Sequence, residues 1–249
     1  MKKIFFFIAL LLLFCSPLFA QVSINSDNST PDNSAMLDVK STSKGFLPPR
    51  MTQAQRDALT AVEGLIVYNT TTHKPNYFNG TIWMNYDGTL AFAIGDSYQG
   101  GKIAYILQPG DPGYDANVPH GIIAAPSDQS TGSPWGCYGT AIAGADGTAL
   151  GTGNQNTLEI MAGCAEAGIA ARICGNLVLN GYSDWYLPSK DELNKLYLNR
   201  ASIGGFVNTS YWSSSEISPT NAWLHNFFTG AQISNEKFYG NYVRAIRAF

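Results

Sequence analysis

Short runs of apolar residues, separated by Gly-, Ser- and Asn-rich segments, recur along most of the chain and predict short β-strands. In the front part, such runs are Ala35 to Val39, Gly64 to Asn69 and Thr81 to Tyr86. Asn79-Gly80 lies between the last two runs. This dipeptide favours a type I′ turn, because both of its residues tolerate positive φ. We therefore expect a hairpin around Asn79-Gly80.

Two capping boxes predict where helices begin. Thr52 is followed by Gln55, and Ser189 is followed by Glu192, each at the spacing that lets side chain and backbone satisfy each other's hydrogen bonds. The first box precedes a short helical segment. The second opens an amphipathic helix, and the carboxyl group of Glu192 falls in its first turn, where the helix dipole favours negative charge.

Between the two capping boxes, residues 156–181 have apolar side chains at roughly helical spacing. Gly163 and Gly168 interrupt this stretch, so we expect two short helices rather than one long helix. The rear part opens with an apolar run from Gly101 to Gln108 and closes with another from Asn241 to Phe249. We expect these two end strands to pair and to close the domain into a loop.

The first 20 residues have the pattern of a secretory signal peptide. Two lysines precede an apolar run from Ile4 to Phe14, and the small residue Ala20 ends the segment. A retained membrane anchor is the alternative, although the run is short for a membrane span. Cys15 raises a lipoprotein alternative, which its large preceding residues disfavour. We expect a mature chain that starts at Gln21 and works outside the cytoplasm, with the membrane involved only in export.

The composition fits compact domains and excludes several classes of function. The chain has 249 residues, of which 45% are hydrophobic and 13% charged, with a formal net charge of -3. Such a balance provides no strong positive field for nucleic acid or an anionic membrane. We divide the mature chain into a small β-rich module at 21–87, a linker at 88–93 and a larger domain at 94–249.

Three cysteines remain in the predicted mature chain, namely Cys137, Cys164 and Cys174. We expect one disulfide and one buried thiol, and sequence alone leaves three possible pairs. A loop cysteine joined to a helical one, Cys137 to Cys164, is the pair we favour. We expect no metal site and no cofactor, because the histidines are far apart and lack zinc-site spacing: His73, His120 and His225.

The front sequence resembles a module of exported bacterial surface proteins and of phage tail-fibre-like proteins. The residues that carry the likeness run from "LDVKSTSKGFLPPRMTQAQRDAL" to "GLIVYNTTTHKPNYFNGTIWMNY", and the resemblance covers nearly all of residues 35–86. The resemblance implies a stalk or an oligomerising element, such as one that forms a homo-trimer. A β-rich spacer with no partner is the alternative.

Two motifs carry a second resemblance. They are "DWYLPSKDEL" at Asp184 to Leu193, and "YWSSSE" at Tyr211 to Glu216 followed seven residues later by Trp223. With their order and spacing, residues 94–249 are similar to the C-terminal domain of the Legionella collagen-like adhesin (Lcl) family, a domain of unknown function. Six residues form the motif framework: Trp185, Leu187, Pro188, Glu192, Trp212 and Trp223.

This second resemblance implies an α+β, C-type-lectin-like fold, with short helices against a looped antiparallel sheet, preceded here by the small β-rich module. It implies binding of glycans or surface partners. The related formylglycine-generating enzymes need a late cysteine pair, and this chain has no cysteine after Cys174. The loop motifs of calcium-dependent lectins are also missing. Residues 88–249 carry 8 Lys and Arg against 12 Asp and Glu, a net charge of -4, which disfavours sulfated glycans.

Aromatic residues are the main functional clue, because flat rings with polar edges suit sugar stacking or protein anchoring. We expect Trp185 and Trp212 to lie in the core. The predicted ligand-binding face consists of aromatic and polar loop residues: Trp135, Tyr138, Glu216 and Asn226.

The leading hypothesis is a secreted or cell-surface, non-enzymatic binding protein with an adhesin-like domain that recognises a glycan or a surface protein. A structural surface or fibre protein without glycan binding is the first alternative. An extracytoplasmic hydrolase is the second, and its candidate carboxylates by residue type are Asp184, Asp191 and Glu216. Nothing in their spacing selects a pair.

Overall fold

The computed structural model describes residues 21–116 and 118–249. The predicted signal peptide, with Cys15, lies outside these residues. The chain divides between Asp87 and Gly88 into two compact parts, which we call the front unit and the rear unit. Within the described ranges, no helix combines the length and the apolar character needed to cross a bilayer.

The described residues of the front unit, 21–87, form two small sheets and one short helix. Strands β1 (Val22–Ile24) and β2 (Leu37–Val39) form a parallel pair. The second sheet has the order β3-β4-β5-β6, with its first pair parallel and the others antiparallel. Its strands and the helix α1 have these bounds: β3 Arg50–Met51, α1 Gln53–Asp57, β4 Ile66–Asn69, β5 Lys74–Phe78 and β6 Trp83–Asn85.

The predicted capping box at the start of α1 is confirmed. The Gln55 backbone N–H donates to Thr52 Oγ1 at 3.3 Å, and the Thr52 N–H donates to Gln55 Oε1 at 3.0 Å. The helix that follows has only five residues. Its stability therefore depends on packing, because isolated helices of this length do not persist in water.

The hairpin around Asn79-Gly80 exists, but its turn and its partner differ from the prediction. It joins β5 to β6, and β5 was missed because Lys74 and Pro75 resemble turn residues. The type I′ expectation is wrong, because Gly80 has a φ of 93° while Asn79 is not among the residues with positive φ. The Asn79 side chain instead accepts hydrogen bonds from the N–H groups of Thr81 and Ile82, which forms an Asx turn.

The rear unit contains two sheets and three helices. One sheet has the order β7-β8-β9-β15, and the other has the order β10-β14-β11-β12-β13. All neighbours are antiparallel except β11 and β14. The strands are β7 Ser97–Tyr98, β8 Gly101–Ile106, β9 Gly121–Ala124, β10 Ser130–Ser133, β11 Ser210–Glu216, β12 Asn221–Asn226, β13 Gln232–Glu236, β14 Asn241–Val243 and β15 Ile246–Ala248. The helices are α2 Gly153–Gly163, α3 Ala170–Gly175 and α4 Lys190–Ile203.

These elements agree with the α+β expectation and with two local predictions. The stretch from residue 156 to 181 is broken between α2 and α3, where Gly163 and Gly168 were expected to divide it. At α4, the Glu192 N–H donates to Ser189 Oγ at 3.3 Å, and the Ser189 N–H donates to Glu192 Oε2 at 2.7 Å. The second capping box is therefore also confirmed.

The two end strands of the rear unit share a sheet but do not pair, so the closure prediction is wrong in detail. Strand β15 pairs with β9, with Ile246 opposite Ala124, and β8 lies on the other side of β9. Strand β9 is buried along its whole length, and this explains why it takes the central place between the two end strands.

The motif residues surround the core of the rear unit. As expected, Trp185 and Trp212 are buried. Leu187 is also buried and belongs to the same core cluster. Tyr186 exchanges two backbone hydrogen bonds with Ile246, at 2.8 and 3.0 Å, which fastens the first motif to the terminal strand. Trp223 differs, because it is only half-buried and lies under the ammonium group of Lys190 at 4.5 Å.

Candidate functional site

A disulfide fixes the loop that carries the first candidate residues. Cys137 and Cys164, the pair favoured from the sequence, form the bond, with their Cα atoms 5.8 Å apart. The Cys137 N–H also donates to the Glu166 carboxylate at 3.1 Å. Cys174 is a buried free thiol, and burial raises its pKa well above the usual value. The loop therefore starts from a covalently anchored residue.

A buried ion pair supports the same loop from below. Lys237 Nζ donates to the carboxylate of Glu216, and their side chains are 0% and 8% exposed. Lys237 also donates to the Thr140 carbonyl at 2.9 Å, while the Glu216 carboxylate accepts a hydrogen bond from the Ile142 N–H at 3.0 Å. These bonds satisfy both buried charges and tie the loop to the strand ends.

Three half-exposed rings lie on the surface over this support, and we call them the aromatic cluster: Tyr138, Phe238 and Tyr239. They are 48%, 50% and 49% exposed. The ring centroids of Tyr138 and Phe238 are 5.1 Å apart in an edge-on arrangement, and those of Phe238 and Tyr239 are 4.3 Å apart. Tyr138 directly follows the disulfide, and Phe238 directly follows the buried Lys237. The backbone that carries both rings is thus held before any ligand arrives.

The structure places Trp135 in the core, so its prediction as an exposed stacking ring is wrong. Trp135 is 0% exposed, its indole N–H donates to the Ser213 carbonyl at 2.9 Å, and the ammonium group of Lys237 lies 4.5 Å from its ring centroid. The loop turns inward because the Trp135 and Gly136 N–H groups both donate to the Lys237 carbonyl. The ring therefore packs against the side chain of Lys237, the residue before Phe238.

Glu216 and Asn226 also differ from the predicted binding face. Glu216 is buried in the ion pair with Lys237 and is not available to a ligand from outside. Asn226 ends β12 at the end opposite to Asn221, and its side chain accepts hydrogen bonds from the N–H groups of Phe228 and Thr229, both at 2.9 Å. Of the four predicted residues, Tyr138 alone lies in the aromatic cluster.

Sequence reasoning missed Phe238 and Tyr239. Both follow β13, in a turn between two strands, where aromatic residues are not needed for a sheet face. Two consecutive aromatic residues directly before Gly240, a residue typical of turns, would have been the available clue.

Two of the carboxylates considered for hydrolysis have ion-pair partners, and the third lies at a helix start. Arg247 donates to both oxygens of Asp184, at 2.7 and 2.8 Å, and this hydrogen bonding holds the pKa of Asp184 below its usual value. Glu216 is paired with Lys237. Asp191 lies in the first turn of α4, as its helix-dipole role requires.

One group of metal-ligand atoms occurs among the described residues, within 4.8 Å of one another: the sulfurs of Cys137 and Cys164 and a carboxylate oxygen of Glu166. The two sulfurs are bonded to each other, so this group offers no thiolates to a metal ion.

Comparison with known families agrees with both resemblances. Residues 23–98 match the family model of a phage tail like trimerisation region, which is a longer span than the likeness seen in the sequence. Residues 126–247 match the Lcl C-terminal domain, so β7, β8 and β9 precede the matched part. No curated protein matches the chain. Together the two matches fit a surface adhesin-like or fibre protein, in which a segment similar to a phage tail like trimerisation region precedes one similar to the Lcl C-terminal domain.

Proposed function

We propose that the protein is a non-enzymatic, adhesin-like binding protein of the cell exterior. Its front unit would assemble copies of the chain, and its rear unit would hold the ligand. The combination of a trimerisation region with an Lcl C-terminal domain supports this division of work. The predicted signal peptide supports the location. For the rear unit we propose a C-type-lectin-like fold, which its short helices and the shared sheet of its two end strands support.

The aromatic cluster is the observation that carries the proposed binding role. Its rings are half-exposed, neighbouring and supported by a disulfide and a buried ion pair. Rings held in this way lose little conformational freedom when a ligand covers them. Flat aromatic surfaces with polar edges stack well on the apolar faces of sugar rings.

Charge narrows the proposed ligand to neutral glycans. The residues from 88 to 249 have a net charge of -4, with 8 basic against 12 acidic side chains. Lys237, the basic residue next to the cluster in sequence, is buried against Glu216 and cannot meet an anion at the surface. The exposed Glu166 near the loop would repel sulfate groups. We therefore propose stacking on uncharged sugars, without calcium.

The test is binding of the chain from residue 21 to 249 to an array of neutral and sulfated glycans, with calcium and with chelator. Tyr138→Ala and Phe238→Ala should each weaken binding of a neutral glycan about fivefold or more, because loss of one anchor ring costs more than about 1 kcal/mol. Chelator should have no effect.

Phe228→Ala is the matched control, since Phe228 is 75% exposed and follows Asn226 at the far end of β12. It should bind as the unchanged protein does. An equal loss in all three variants would contradict the site, and loss with chelator would contradict calcium independence.

A structural fibre protein remains the second candidate, because the front unit exposes many large apolar side chains that suit assembly. A chain that forms trimers but retains no glycan would favour this second function. The proposed lectin role would then be wrong, and a surface protein would replace sugar as the partner to seek.

A further inference from the structure

The rear unit contains a cavity that shares no residue with the aromatic cluster. Its volume is about 290 Å³, within reach of small-molecule sites. We call it the Glu192 cavity, after a residue of its floor. The floor residues Ile122, Tyr186 and Glu192 are 4%, 5% and 1% exposed. Exposed residues form its mouth: Pro112, Gly113, Gly151 and Ala248.

Apolar side chains form most of the walls. Leu107, Leu150 and Phe249 line the cavity together with the floor residue Ile122. His120 also lines it, and its Nδ1 lies 3.2 Å from the Phe249 carbonyl oxygen. Such walls favour the apolar body of a small molecule and offer few partners to a sugar with many hydroxyl groups.

Glu192 is the acidic group of the cavity, and all of its hydrogen-bond donors are neutral. They are the Ser189 N–H at 2.7 Å, the Gly151 N–H at 3.0 Å and the Tyr186 hydroxyl at 3.3 Å. None of the ion pairs seen in the described part of the chain includes Glu192. Lys195, farther along α4, donates instead to the Tyr105 hydroxyl at 3.1 Å.

A buried carboxylate is ordinarily paired with a cation or shifted towards its neutral form. Burial raises the pKa of Glu192 despite the three donors, which agrees with the lack of a cationic partner. The other buried acid of the rear unit, Glu216, has Lys237 as its partner. The cavity is thus where a cation could reach Glu192 from outside the protein.

We propose that the Glu192 cavity binds a small organic cation, a primary ammonium group attached to a flat apolar body. The ammonium group would pair with the Glu192 carboxylate, and the apolar body would fill the space between Leu107, Leu150 and Phe249. An anion would be repelled by the same carboxylate. An uncharged molecule of the same shape would keep the apolar contacts and lose the charge pairing.

Three probes of equal ring size test this assignment in titration calorimetry with the chain from residue 21 to 249. They are phenethylamine, 2-phenylethanol and 3-phenylpropanoate. We expect phenethylamine to bind at least tenfold more tightly than the alcohol, and the acid to bind most weakly. Equal binding of the amine and the alcohol, or no binding of the amine, would overturn the proposal.

Two variants locate the site. Glu192→Gln should abolish the preference for the amine, and glutamine is accepted at this position of a capping box. Ala248→Phe, at the mouth, should weaken the amine and the alcohol alike by at least tenfold. Asp191→Asn, which removes the neighbouring carboxylate of α4, is the matched control and should leave binding unchanged.

Circular dichroism shows whether Glu192→Gln folds. If it does not fold, the order of affinities of the three probes for the unchanged protein, and their binding to Ala248→Phe, still test the proposal. Full binding in Ala248→Phe, or an equal loss in Asp191→Asn, would place any amine site elsewhere and overturn the assignment. The glycan test is independent, because no probe here resembles a sugar.

Discussion

The front and rear units differ in how much of an apolar core they bury. In the rear unit, the largest rings, such as Trp135 and Trp212, are fully buried. In the front unit, Val22, Ile24 and Leu37 are each more than half exposed, at 53%, 58% and 52%. A small unit has too little volume to cover such side chains by itself. We infer that the rear unit covers its apolar core by itself, whereas the front unit needs neighbouring molecules to cover its exposed apolar side chains.

The interior of the front unit is correspondingly polar. Arg56 is 1% exposed, and its guanidinium group donates to Asn76 Oδ1 at 2.7 Å. Asn76 in turn donates to Asn85 Oδ1 at 2.8 Å, across the β5–β6 pair. Such connected hydrogen bonds specify one strand register without adding much hydrophobic stabilisation. This agrees with the match of the front unit to a trimerisation region.

The strongest test of the comparison is the exposed face of the β1–β2 pair. Val22 lies opposite Leu37, and Ile24 lies opposite Val39, so the four apolar side chains share one face. If the chain forms a trimer, as its match to a trimerisation region leads us to propose, the double change Ile24→Ser and Leu37→Ser should dissociate it. Each buried side chain of this type contributes about 1.5–3 kcal/mol. Sedimentation equilibrium measures the outcome.

Ser23→Ala, at the strand position between the two exposed residues of β1, is the control and should leave the trimer intact. If the double variant remains trimeric, this face is not the subunit interface, and the apolar residues of β1 and β2 need another explanation.

The second test compares two ion pairs. Lys237→Met would leave Glu216 buried without its cation, and we expect this to lower the free energy of unfolding by about 3–5 kcal/mol. Lys74→Met removes the exposed pair with Asp87 in the front unit and should cost less than about 1 kcal/mol. Urea unfolding measures both, and equal costs would contradict the contrast between the units.

The third test uses pH. His225 is 1% exposed, stacks on Tyr197 at 4.4 Å, and burial lowers its pKa below the usual value near 6.5, with Arg200 as a minor cause. Below about pH 6.5 the unfolded chain therefore takes up a proton that the folded chain refuses, and stability falls with acidification. The expected loss is up to about 1.4 kcal/mol per pH unit.

Urea unfolding at pH 7.5 and 5.5 should show this loss, and His225→Phe should reduce it. A pH dependence that survives in His225→Phe would assign the titration to another group.

The smallest expected effect compares the two capping boxes. Ser189 is buried, and its hydroxyl also donates to the Ala149 carbonyl at 2.8 Å, whereas Thr52 is exposed. Ser189→Ala should cost about 1–2 kcal/mol, and Thr52→Ala about 0.5 kcal/mol. Thermal unfolding of the two variants measures the difference. A larger cost for Thr52→Ala would contradict the expectation that the buried capping box of the rear unit contributes more to stability.

Local features of the fold could be predicted from the sequence. Both capping boxes, the break between α2 and α3, and the burial of Trp185 and Trp212 depend mainly on residues within a few positions of one another. The placement of β9 between the two end strands could not be predicted, because it depends on which distant strands meet.

The candidate site shows the same limit. Trp135 was expected at the surface because its neighbours resemble a loop, but a distant lysine, Lys237, covers its ring. Phe238 became part of the site through its contact with the distant Tyr138, which no local pattern contains, and Tyr239 joins the site through Phe238. Asn226 lies away from the aromatic cluster, at the other end of β12, and this separation likewise follows from tertiary structure.

The disulfide at Cys137, next to Tyr138, makes the rigidity of the aromatic cluster depend on the redox state of the compartment. In a reducing compartment the loop would keep the contacts of Lys237 and Glu216 but lose its covalent anchor at Cys137. In an oxidising compartment the disulfide forms, and the aromatic cluster gains its full rigidity. If the chain is exported as we propose, its aromatic cluster would reach full rigidity only outside the cytoplasm, because the Cys137–Cys164 bond would form there.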